Sequence, residues 1–129
     1  MTIFSKIIKG DIPCCKIAED DRFFAFLDIN PMQKGHTLVV PKLEEDYIFN
    51  LDDDLLGDMF IFAKKVALAI QQAVPCVRVG MAVLGMEVPH AHIHLVPLNK
   101  ESDLDFRNAK LKLDSEEMKS IAEKISVFI

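Results

Sequence analysis

The chain has 129 residues, half of them apolar, and a formal net charge of -5. This length predicts one domain, residues 1–129, with enough apolar residues to form a core without crosslinks. The acidic charge argues against binding of a nucleic acid polymer, and no apolar run suits a signal peptide or a membrane span. The three cysteines, two of them adjacent, do not suit a disulfide framework, so we expect a cytoplasmic protein.

Helical and extended patterns alternate along the first third of the chain. Apolar residues recur at helical spacing from Ile3 to Ile8 and Gly10 follows, which predicts a short N-terminal helix with a glycine cap. Two strands are then predicted on either side of an acidic turn, residues 19–21. After a loop over residues 31–35, the run "HTLVVP" is typical of a strand that is buried on both faces.

One long amphipathic helix is predicted in the middle of the chain, beginning at the acidic residues 52–54 and ending at Pro75. Its apolar stripe, which should pack on a sheet, consists of Leu55, Leu56, Met59, Phe60, Ala63, Val66, Ala67 and Ile70. The segment "VRVGMAVLG" predicts another strand. A charged loop, residues 100–113, leads to a last helix at about 114–128. This order of elements indicates an α+β fold with an antiparallel sheet.

The stretch "EVPHAHIHLVPL", residues 87–98, places three of the four histidines at alternate positions. In a strand, His90, His92 and His94 would line one face, and the apolar residues between them would line the other. Three such residues span about 13 Å at roughly 3.3 Å per residue, so they cannot all bind one zinc ion without a bulge. Nucleophilic catalysis fits better, because a neutral imidazole can attack phosphorus while flanking rings donate to its oxygens.

The segment "HAHIHLVP" resembles the His-x-His-x-His signature of the histidine triad (HIT) superfamily. Three further stretches resemble its histidine triad nucleotide-binding (Hint) branch in the same order, "IFSKIIKGDIP", "FFAFLDINP" and "GHTLVVPK". The resemblance implies a HIT-like fold with a sheet of about five strands that continues across a homodimer. It also implies a purine nucleotide-binding hydrolase or transferase that forms a nucleotidyl-histidine intermediate and uses no cofactor. The activity it favours most is that of a nucleoside phosphoramidase.

The resemblance also implies roles for individual residues. His92 matches the nucleophile, His94 matches the histidine that contacts the phosphate, and His90 matches the one that orients its neighbour. His36 matches a further active-site histidine, and Asp28 matches the carboxylate that holds the ribose hydroxyls. The matching apolar walls around the base are Ile3, Phe4, Ile7, Phe26 and Ile29. Glu87, beside the leaving group, is a further candidate.

The chain departs from the family pattern at three places. Met86 stands where many relatives carry a glutamine, and its thioether donates no hydrogen bond to a leaving group. Thr2, Ser5 and Glu44 stand where some relatives bind a structural zinc, so we expect no metal. The charged loop and last helix replace a shorter tail and could shape either the leaving-group pocket or the dimer.

Two other functions remain open. A dinucleoside polyphosphate hydrolase would use the same residues on another leaving group. A nucleotide-binding module with little catalysis is favoured by Met86 and by the short loop before the triad. In each case the expected ligand is a purine nucleoside monophosphate, or its phosphoramidate or anhydride derivative.

Overall fold

A computed structural model describes the whole chain, residues 1–129. Its α-helices are α1 (Ile3–Lys9), α2 (Asp53–Ala73) and α3 (Ser115–Ser126). Its strands are β1 (Lys16–Glu19), β2 (Phe23–Leu27), β3 (Thr37–Pro41), β4 (Arg78–Ala82) and β5 (Ile93–Leu98). Two 3-10 helices cover Ile48–Asn50 and Glu101–Asp103. None of the helices combines the length and the apolar composition that a membrane crossing requires.

The five strands form one antiparallel sheet in the order β1-β2-β3-β5-β4, which confirms the predicted α+β class. All residues of β2 and β3 are buried, because both faces of the sheet are covered. On one face, α2 and α3 close the main core around residues such as Met59, Ile93 and Ile125. On the other face, α1 covers a smaller cluster formed by Phe4, Phe24, Phe26, Leu38 and Val40.

The helix ends lie where the sequence predicts them. Gly10 follows α1 with φ +88°, in the left-handed region that glycine adopts without strain. Asp52 caps the start of α2 by accepting a 2.8 Å hydrogen bond from the Leu55 amide. Asp114 caps α3 in the same way, through the amide of Glu117 at 2.8 Å.

Two details differ from the sequence-based prediction. Phe60 is 43% exposed, whereas the buried face of α2 includes Phe62 and Ala69, because the stripe follows 3.6 residues per turn more strictly than predicted. The histidine strand also begins later than predicted, at Ile93. Ladder pairing to β3 starts at Ile93 opposite Val39, and the amide of Ala91 donates instead to the carbonyl of Glu45 at 2.6 Å.

Candidate active site

The three triad histidines lie on the α1 side of the sheet although only His94 is within β5. The Phe4 ring of α1 lies 5.7 Å from the ring of His90 and 5.1 Å from that of His92, measured between ring centroids. The His92 and His94 rings are 4.9 Å apart. The intervening Ala91, Ile93 and Leu95 belong to the main core on the opposite face. The alternation predicted from the sequence is therefore present, and it gathers the imidazoles on one side.

The position of the proton on His92 follows from its partner. Nδ1 of His92 lies 2.8 Å from the backbone carbonyl oxygen of His90, which can only accept, so Nδ1 carries the proton. In a neutral ring, Nε2 then keeps its lone pair, and His92 lines a cavity of about 490 Å³ on this face. This tautomer is the one that a nucleophilic imidazole requires.

His90 is fully buried beneath this site and does not line the cavity. Its Nε2 donates to the carbonyl oxygen of Pro41 at 2.8 Å, so its Nδ1 accepts from the Thr2 hydroxyl at 2.7 Å. Burial lowers the pKa of His90 and keeps the ring neutral. Thr2 and Ser5 in turn hydrogen-bond to the carboxylate of Glu44, so α1 and the turn after β3 are joined at His90.

His36 and His94 form a second hydrogen-bonded chain. The amide of Met32 donates to Nδ1 of His36 at 3.1 Å, which leaves the proton of the neutral ring on Nε2. That Nε2 donates to Nδ1 of His94 at 3.0 Å, so the remaining N–H of His94 is on Nε2. Burial is the main cause that lowers the pKa of His36, and burial followed by the neighbouring His92 lowers the pKa of His94 to about 3. The network thus presents a neutral N–H donor at His94, beside the lone pair of His92.

Asp28 lies at the end of β2, close to these rings. Its Oδ1 accepts from the amide of Asn30 at 2.8 Å, and its Oδ2 is 3.6 Å from Nε2 of His36. Asp28, His36 and His94 each bring one potential metal-ligand atom to within 4.8 Å of the others. The set fits a metal poorly, because Nδ1 of His36 already accepts from the Met32 amide and a metal on Nε2 would leave the ring without a proton. A hydrogen-bonded chain describes it better.

A cavity of about 490 Å³ opens above these groups. Its walls include every predicted site residue except His90, namely Ile3, Phe4, Ile7, Phe26, Asp28, Ile29, His36, Glu87, His92 and His94. The volume falls in the range of small-molecule sites. Another concavity, of about 630 Å³, is lined only by residues between 101 and 107 and contains none of the histidines. The histidine cavity is therefore the candidate active site.

Comparison with known proteins agrees with this geometry. The HIT domain model matches residues 9–101. The chain is 38% identical over 126 residues to the adenosine 5'-monophosphoramidase hnt1 of Schizosaccharomyces pombe, with 96% of this chain and 95% of that protein covered. An uncharacterized HIT-like protein of Borreliella burgdorferi is 36% identical over 135 residues, covering 98% of this chain and 97% of the relative. The chain belongs to the HIT domain family.

Solved structures of HIT proteins share the fold as well. A HIT-like protein involved in cell-cycle regulation from Bartonella henselae has a TM-score of 0.85 and 27% sequence identity, covering 99% of this chain and 96% of that chain. A HIT family protein from Bacillus anthracis has a TM-score of 0.74 and 35% identity, covering 98% of this chain and 96% of that chain. The resemblance inferred from the sequence motifs is therefore confirmed.

Sequence reasoning missed several residues that line this cavity, and two of them, Phe106 and Lys110, come from beyond the histidine strand. Both come from the charged loop, where no periodic pattern indicates which side chains turn inward. The loop folds back because the amide of Leu111 donates to the carbonyl of Pro31 at 2.8 Å, next to the Asp28 turn. Phe106 then contacts His94, with ring centroids 4.8 Å apart and the rings nearly perpendicular. The loop thus forms part of the cavity wall.

Proposed function

We propose that this HIT domain is a purine nucleoside phosphoramidase that works through a nucleotidyl-His92 intermediate. The observation that carries the proposal is a pair of ring nitrogen atoms that lie in one cavity with Asp28. Nε2 of His92 has a lone pair, and Nε2 of His94 carries a hydrogen. The similarity to a protein named adenosine 5'-monophosphoramidase supports the same reaction class.

The first step would transfer the nucleotidyl group to the protein. Nε2 of His92 attacks phosphorus and forms an N–P bond, while the bond from phosphorus to the leaving nitrogen breaks and that nitrogen takes a proton from solvent water. The Nε2–H of His94 is a suitable donor for the phosphoryl oxygens, where charge increases. Water then attacks the same phosphorus and loses a proton to solvent, the N–P bond breaks with its electron pair returning to Nε2 of His92, and the nucleoside monophosphate leaves with the oxygen of water.

The cavity walls support a nucleoside as the bound group. Phe4 and Phe26 lie 5.6 Å apart between ring centroids and, with Ile3, Ile7 and Ile29, form an apolar wall for a purine. Asp28 has a carboxylate oxygen available to a ribose diol. Glu87 and Met86 also line the cavity, and Met86 is 87% exposed and offers no donor.

The proposal is tested with adenosine 5'-phosphoramidate. The wild-type protein should release AMP, and His92→Ala should reduce kcat by about 10³-fold or more, as expected for the loss of a nucleophile. Rapid acid-free quenching and intact-mass analysis should detect one nucleotidyl group on the wild-type chain and none on the variant. Calorimetric binding of AMP to His92→Ala serves as the control for an intact fold. Equal turnover by both proteins would contradict the proposal, and AMP binding without any turnover would favour a binding module.

We further propose that the chain acts as a single HIT-like domain, in the cytoplasm, and as a homodimer. The three cysteines are free, which suits a reducing compartment. Strand β4 pairs only with β5, so its outer edge has unpaired backbone groups. The other edge strand, β1, is short and has an irregular register between Lys16 and Ala18, which disfavours pairing. The edge of β4 is thus the better candidate for sheet continuation.

A further inference from the structure

The charged loop after β5 forms the part of the cavity wall that adjoins His94. The HIT domain match ends at residue 101, so this loop lies beyond the segment that the family model matches. Four rings form a continuous row along the cavity, with centroid distances of 5.1 Å from Phe4 to His92, 4.9 Å from His92 to His94 and 4.8 Å from His94 to Phe106. Phe4 of α1 is therefore at one end of the row, and Phe106 is at the other end.

Lys110 is the only lysine or arginine among the residues that line this cavity. Its Nζ donates to the carbonyl oxygens of Phe106 at 3.0 Å and Asn108 at 3.3 Å, which hold the ammonium group at the rim. An ammonium has three N–H donors, so one remains for a ligand. Lys110 also takes part in none of the ion pairs of the chain. Its positive charge is therefore not matched by a contacting carboxylate.

The charges in the cavity leave a phosphate without any other cationic partner. The neutral rings of His36 and His94 supply hydrogen bonds but no positive charge. The two carboxylates of the cavity, Asp28 and Glu87, would repel an anion. Burial is the main cause of the low pKa of His94, and the positive charge of Lys110 lowers it further. The ammonium group is therefore close enough to affect the His94 ring electrostatically. A bound phosphoryl group needs a compensating charge when it leaves water.

We propose that Lys110 is a phosphate-binding residue of this site, which supplies the positive charge that the neutral histidines lack. The inference rests on the proposed nucleotide ligand, and it assigns the charged loop to the binding site rather than to the dimer. Phe106 would act as a positioning residue, since its backbone carbonyl holds Nζ of Lys110 and its ring contacts His94.

The test compares AMP with adenosine, which differ only in the phosphate, by isothermal titration calorimetry on the full-length chain. Lys110→Gln should weaken AMP binding about 10- to 100-fold, the usual contribution of a hydrogen bond to a charged group, and should leave adenosine binding unchanged. Lys110→Arg should retain most of the AMP affinity. Arg107→Gln is the matched control, because it removes one positive charge from the same loop at a side chain that is 91% exposed and paired with Asp105.

Each outcome decides the assignment. Selective loss of AMP binding in Lys110→Gln, with Arg107→Gln unchanged, supports it. Equal losses in Lys110→Gln and Arg107→Gln would indicate a general effect of net charge and overturn it. Equal weakening of AMP and adenosine by Lys110→Gln would indicate a rearranged loop and also overturn it. A wild-type protein that binds AMP but hydrolyses no phosphoramidate would contradict the proposed function alone, because the comparison of ligands needs no turnover.

Discussion

At the scale of single residues, the main property of the site is that its protons are fixed by backbone groups. The carbonyl of His90 fixes the proton on Nδ1 of His92, and the amide of Met32 fixes the proton on Nε2 of His36. The sequence pattern predicts that the triad rings share a face. It cannot predict their tautomers, because these depend on contacts with residues far along the chain.

The buried neutral rings predict a dependence of stability on pH. The folded-state pKa of His94 is about 3, against an ordinary value of 6.5, so the unfolded chain takes up a proton near pH 6.5 and the folded chain does not. The free energy of unfolding should therefore be highest above pH 6.5 and fall towards pH 3, by up to about 1.4 kcal/mol per pH unit for this one proton. Urea unfolding at pH 7, 6 and 5, a range that includes the ordinary pKa of histidine, measures this change.

The variant His94→Asn isolates this contribution. Asparagine cannot take up a proton. The unfolding free energy of the variant should therefore change less with pH than that of the wild type, and the difference in slope is the contribution of His94. His36 and His90, whose pKa values are also lowered by burial, remain in both proteins and account for the residual slope. Identical slopes in wild type and variant would mean that folding does not lower the pKa of His94.

At the scale of the elements, α1 connects the apolar wall of the cavity to the triad. Its N-cap residue, Thr2, accepts from the amide of Ser5 at 3.0 Å and donates to Nδ1 of His90. The spacing of apolar residues and Gly10 predicts the helix itself. The link to His90 has no signal in the local sequence, because the two residues are 88 positions apart.

Substitution of Thr2 tests this link. Thr2→Val removes the cap, which costs about 1 kcal/mol, and leaves a buried ring nitrogen unpaired, which costs about 1 to 3 kcal/mol more. Thr2→Ser keeps the hydroxyl and should stay close to wild type. Asp114→Ala is the control, since Asp114 caps α3 in the same manner and contacts no histidine. If Thr2→Val loses no more unfolding free energy than Asp114→Ala in urea, Thr2 is only a cap.

The charged loop illustrates the limit of prediction at this scale. Periodicity predicts α2 and α3, because each buries one regular face against the sheet, and a continuous apolar run predicts β3, which is buried on both faces. Phe106 and Lys110 enter the cavity through one long-range bond, from the amide of Leu111 to the carbonyl of Pro31. An irregular segment has no repeat from which its inward residues could be read.

At the scale of the whole molecule, the open edge of β4 determines how copies of the chain could associate. Met81 on this strand is 44% exposed, on the face of the sheet that α2 covers. An apolar side chain beside an unpaired edge is a feature that a second sheet can cover. The proposed homodimer would bury both.

The substitution Met81→Glu tests the proposed homodimer. A charge at this position should shift the chain from dimer to monomer in sedimentation velocity, because burying an unpaired carboxylate is unfavourable. Leu43→Glu is the matched control, as Leu43 is 58% exposed in the turn after β3 and should leave the dimer intact. A wild-type chain that sediments as a monomer contradicts the homodimer directly.

The cavity receives its walls from Ile3 near one end of the chain and from Lys110 near the other. A molecule in which the seven residues of α1 have frayed loses Ile3, Phe4 and Ile7 from the apolar wall, and we expect it to be unable to hold a purine. The observed dissociation constant then equals the intrinsic constant divided by the fraction of molecules with the helix formed. Temperature and denaturant can thus weaken affinity well before the sheet unfolds, without altering any group that contacts phosphorus.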